Sequence, residues 1–143
     1  MKEFYIFNIK SEFARLYKDK PSQLFFIFNR IYNMKSIDKK YGYNLFEQVS
    51  MFFDKDNINL FIRDSYIDDL MYSNTKNEHI INNLYLGEVS ILTVKSSHLK
   101  IESNNDHPSF INILKKYNPH LFVCNFKEQD FYFLKHYRER INI

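Results

Sequence analysis

From Glu3 to Ile9 the chain alternates without leaving a polar face: Tyr5, Phe7 and Ile9 point one way, Phe4 and Ile6 the other. A strand apolar on both faces belongs in the middle of a sheet. The next residues, Ser11–Tyr17, read as a short helix on which Phe13 and Tyr17 stand four positions apart and share a face. After Pro21-Ser22, the residues Leu24, Phe25, Phe28, Ile31 and Tyr32 follow the spacing of one helical stripe. Gly42 then interrupts a polar stretch. Asn44, with Glu47 three positions on, predicts an N-cap and approximate capping box ahead of Leu45, Phe46, Val49, Phe52 and Phe53.

Between residues 54 and 83 the rhythm is less regular. Ile58 to Ile62 and Ile67 to Met71 suit short helices joined by polar turns, with strand as the other reading. Beyond Gly87 the pattern turns to strand: Val89–Val94 and Leu99–Ile101 flank a Ser96-Ser97 turn. Asp106-His107-Pro108 opens a helix carrying Phe110, Ile111, Leu114 and Tyr117, and Asn118-Pro119 stops it. A second hairpin follows, Leu121–Phe126 and Phe131–Leu134 around Lys127–Asp130. One N-terminal strand, two late hairpins and helices between them predict a single α+β domain over residues 1–143. Its sheet would be mostly antiparallel, of about five strands, with helices packed on it.

Composition narrows the functional classes. In 143 residues, 45% are apolar, 18% aromatic, and only two glycines and three prolines occur, so the chain can build a core without staples. A net charge of +3 and a pI near 8.8 fall short of a strongly basic nucleic-acid footprint. Cys124 is the sole cysteine and sits in an apolar run, as a buried small residue would. Asn8, Lys10 and Glu12 break any apolar leader, and no run approaches a membrane span. A monomeric cytoplasmic protein without a membrane contact is the expectation.

Motifs for chemistry are sparse. Gly42 and Gly87 are too far apart for a phosphate-cradling loop, and the five histidines show no ligand-pair spacing. No serine sits in a glycine-flanked elbow, and Asp68-Asp69 and Asp54/Asp56 are the carboxylates of solvated turns. No enzyme activity, cofactor or metal is expected. Two binding readings remain. Aromatic strands and the segment Lys135–Arg140 could serve single-stranded nucleic acid by stacking and charge. The Phe13/Tyr17 stripe could instead anchor a protein interface, since such rings bury large area at small entropic cost; the competing reading is that both rings are core.

The run Phe4-Tyr5-Ile6-Phe7-Asn8-Ile9-Lys10, followed by Glu12-Phe13-Ala14, Tyr17 and the helix Leu24 to Phe28, resembles the SirA family of sporulation inhibitors of replication. Leu114-Lys115-Lys116 with Pro119, the run Leu121–Phe126, Tyr132 and Glu139-Arg140 resemble it too, whereas residues 54–86 do so loosely. The resemblance implies a non-enzymatic regulator that binds the N-terminal domain (domain I) of the replication initiator DnaA, with no direct nucleic-acid contact. It places the contact helix at Ser11–Tyr17, aromatic contacts at Phe13 and Tyr17, and a polar contact on the third helix at Gln48. Covering that domain would hinder initiator assembly at the origin.

Overall fold

The computed structural model describes residues 1–35 and 38–138. The elements run β1 (Lys2–Ile9), α1 (Ser11–Tyr17), α2 (Pro21–Tyr32), α3 (Lys39–Val49), β2 (Ser50–Met51), α4 (Lys55–Ser65), β3 (Tyr72–Asn74) and β4 (Glu78–Asn83). They continue with β5 (Glu88–Val94), β6 (Leu99–Ser103), α5 (Ser109–Tyr117), β7 (Leu121–Asn125) and β8 (Asp130–Phe133). Every strand pairing is antiparallel, in the order β3-β4-β5-β6-β1-β7-β8, so the fold is α+β.

β1 is central, as its two apolar faces predict. β6 pairs with its first half, through Phe4↔Ile101 and Ile6↔Leu99, and β7 pairs with Tyr5 to Asn8 on the other edge. Asn8 also pairs with Met51, so the two residues of β2 lie on the β6 edge beyond the end of β6. Phe4 and Ile6 face α4 and α5 in one core with Leu92, Leu99, Ile101, Phe110, Ile111 and Leu114. Phe7 and Ile9 face α2 and α3 in a second core with Leu24, Phe25, Phe28, Phe46, Val49 and Phe122. The Phe7 and Phe28 rings stack there at 4.1 Å. Each fully buried ring of this kind contributes roughly 1.5–3 kcal/mol. Cys124 lies in the same core, and burial pushes its thiol pKa well up, as an unreactive structural cysteine requires.

Three expectations need correction. Among the described residues the sheet has eight strands rather than five. The additional ones are β2, β3 and β4. Of the predicted middle helices only α4 forms; its N-cap is Asp54, whose Oδ1 accepts from the Asn57 amide at 3.2 Å. Ile67 to Met71 are turns, and the chain then makes a β3–β4 hairpin that extends the sheet past β5. The inward face of β4 carries His79, which hides its alternation. That imidazole is buried: its Nε2 donates to Asn59 Oδ1 at 2.7 Å, and its Nδ1 accepts from the Tyr72 hydroxyl at 2.6 Å. Asn59 in turn donates to Asn77 at 2.9 Å, so the buried chain of polar groups is paired throughout.

The third correction concerns α3. Asn44 is inside the helix, not its cap; the helix starts at Lys39 and ends at Val49, short of Phe52 and Phe53. Gly42, inside the helix, leaves room for Met34: a Cβ on Gly42 would lie 2.7 Å from the Met34 sulfur. Ser50-Met51 leaves the helix to pair with β1. The chain then sends Phe53 into the opposite core, while Phe52 stays half exposed.

Candidate partner-binding surface

α1 begins as soon as β1 ends. The Lys10 carbonyl accepts from the amides of Phe13 at 3.0 Å and Ala14 at 2.9 Å, winding the chain into a helix within one residue of the sheet. The helix closes when the Tyr17 carbonyl accepts from Lys20 at 2.9 Å, and Pro21 opens α2, where its missing N–H leaves no bond unmade. Seven residues give too little helix to be stable alone; packing on α2 must hold it.

None of those seven residues is buried. Phe13 and Tyr17 are half buried, resting on the rim of the α2/α3 core, and their rings lie nearly parallel, 14° apart, with centroids at 6.4 Å. The two rings are thus neither core nor free. They form one ledge with an open side, and Leu16 beside them is 63% exposed. Lys10, Arg15, Lys18 and Lys20 against Glu12 and Asp19 give this segment an excess of two positive charges.

Gln48 is exposed in the last turn of α3. Its neighbour Val49 accepts from the Lys10 amide at 3.0 Å, which joins the end of α3 to the start of α1. Phe13 and Tyr17 on α1 and Gln48 on α3 thus lie on helices joined at one end of β1. Phe26 is exposed on α2; its place outside the stripe of Leu24, Phe25 and Phe28 was the available signal for that.

The rings of the last hairpin are occupied. Phe131 stacks on Phe25 at 4.8 Å, Phe133 is buried against Phe122, and Tyr132 stacks on Tyr137 at 5.5 Å. They do not form a base-stacking platform. Of the basic segment read from the sequence, Glu139 and Arg140 lie outside the described residues. Among the described residues no group of three or more metal-ligating side chains converges, and no helix is long and apolar enough to cross a membrane.

A family model described as sporulation inhibitor of replication protein SirA matches residues 2–138, nearly the whole chain. No curated protein matches it.

Proposed function

Since the chain belongs to the SirA family of sporulation inhibitors of replication, we propose that it restrains replication initiation by binding domain I of the initiator DnaA through α1. It acts as a regulator without chemistry, by covering a surface that domain needs for assembly at the origin. The observation that carries this reading is the stacked Phe13/Tyr17 ledge on a helix with no buried residue. Two rings held parallel before a partner arrives lose little further freedom on binding, which is the economy that makes aromatic hot spots effective. Gln48 supplies a polar contact from the adjoining turn of α3. The excess positive charge around the ledge suits an acidic partner face and would speed encounter at low salt.

Calorimetric titration of the full chain with the host's own DnaA domain I tests the proposal. Binding in the micromolar range or tighter, weakened at least about 30-fold by Tyr17→Ala, is the expected result. No heat and no co-elution at tens of micromolar would overturn it.

A further inference from the structure

α1 is apolar over more of its circumference than its packing uses. At about 100° per residue, Phe13, Tyr17 and Ala14 span an arc of roughly 100°, and these are the apolar residues of the helix that rest against the α2/α3 core. That width is what an amphipathic helix needs to seat itself. Leu16 extends the arc by about a further 60°, past Phe13 and away from Ala14. It has no place in the core and is 63% exposed. On the other edge of the arc Ser11 and Lys18 are polar and exposed, so the surplus apolar surface lies on one side only.

A single exposed leucine is ordinary on a protein surface. This one is not isolated. It stands three positions after Phe13, where side chains on a helix are neighbours, and directly before Tyr17. With the open sides of the two stacked rings it makes one apolar patch that runs from the rim of the core out to solvent. Folding does not call for it, since alanine at that position would hold the helix as well.

We infer that Leu16 is the third apolar anchor of the α1 surface, and that the partner lies across the Phe13–Leu16 edge of the ledge, not its Ala14 edge. This rests on the binding of DnaA domain I by α1 proposed above, and it adds the chemistry of the opposite face. Besides a site for two rings, that face must offer an aliphatic pocket next to it. A face without the pocket would leave Leu16 in water or press it against polar groups, so Leu16 selects partners by fit and not by charge.

Titration of the full chain with the host's own DnaA domain I tests this at one position. Leu16→Ala keeps the helix propensity and is expected to weaken binding about tenfold. Leu16→Gln sets an amide in the apolar pocket and should weaken it at least about 30-fold, while Leu16→Met should stay within about threefold of wild type. None should move the urea midpoint, because the position makes no core contact. A second measurement reads the contact without relying on affinity. Cys124 is fully buried and its thiol pKa is pushed well up, so iodoacetamide should modify a Leu16→Cys chain only at the introduced thiol. Saturating domain I should slow that modification at least about tenfold. Suppose Tyr17→Ala weakens binding, Leu16→Ala and Leu16→Gln stay within about twofold of wild type, and the introduced thiol stays reactive in the complex. The inference then fails and the proposed function stands. A fall in the urea midpoint that matches the loss of affinity would make Leu16 structural and overturn the inference too. A wild type that does not bind domain I removes both readings.

Discussion

The Lys10 amide donates to the Val49 carbonyl at 3.0 Å, so the residue that launches α1 is bonded to the residue that ends α3. This bond joins segments some forty positions apart and ties the turn of α3 that carries exposed Gln48 to the start of α1. Gln48→Ala is expected to weaken binding of DnaA domain I by about 1 kcal/mol, the worth of one hydrogen bond, with melting temperature unmoved. In a double-mutant cycle with Tyr17→Ala, coupling of about 0.5 kcal/mol or more is expected if one partner face spans both residues. Strict additivity measured by calorimetry would separate them.

Half-burial of the ledge sets the balance between stability and affinity. Phe13→Ala or Tyr17→Ala removes a ring from the rim of the α2/α3 core, not from its interior. Each is expected to cost about 1 kcal/mol in unfolding, well below the 3–5 kcal/mol of a core phenylalanine. The same change should cost at least about 2 kcal/mol in binding domain I. Urea unfolding and titration of each variant give both numbers. An unfolding loss larger than the binding loss would make the rings structural.

How much of this was legible in the sequence depended on whether the pattern stayed local. Phe13 and Tyr17 share a face by spacing alone, and the Leu24–Tyr32 stripe marked the core side of α2. The capping pattern at Asn44 and Glu47 misled because caps are read over four residues, whereas α3 already begins five residues upstream, at Lys39. β4 escaped notice because its inward row includes His79, a polar residue whose partners, Asn59 and Tyr72, come from a helix and another strand. The bond that ties the Gln48 turn of α3 to α1 runs between Lys10 and Val49, a pairing that no local window contains.

That buried imidazole makes stability depend on pH. Burial, with Arg63 adding to it, lowers the His79 pKa from 6.5 to about 4, and His98 is lowered similarly by burial and by Lys95 and Lys100. Above pH 6.5 neither the folded nor the unfolded chain holds these protons. Between 6.5 and 4 the unfolded chain binds them and the folded one does not, so stability is full above 6.5 and falls as pH drops toward 4. The slope is at most about 1.4 kcal/mol per pH unit for each imidazole, and less for half-buried His98. Urea midpoints measured from pH 7.5 to 5 should decline, and His79→Asn should flatten the decline while lowering stability at pH 7.5. A wild-type profile flat across that range would contradict the buried neutral state.

Glu88 is buried with its carboxylate against the start of α5, where Pro108 precedes the helix and offers no side-chain cap. One oxygen accepts from the Ser109 amide at 3.0 Å and from the Ser90 hydroxyl at 2.5 Å, and the other accepts from the Ser109 hydroxyl. A strand residue thereby caps a helix that starts 21 positions later, adding a negative charge where the helix dipole favours one. Glu88→Ala leaves Ser109 and the first turn of α5 without that acceptor and should cost about 3 kcal/mol, as loss of a buried charged acceptor does. Glu88→Gln keeps the size but turns an NH₂ toward donors, so it should fall between alanine and wild type. Since β5 begins at the end of the sheet away from α1, either variant, once folded, should bind domain I as the wild type does. Chemical denaturation paired with titration at low temperature checks both halves, and a stable Glu88→Ala chain would show that water replaces the carboxylate without loss.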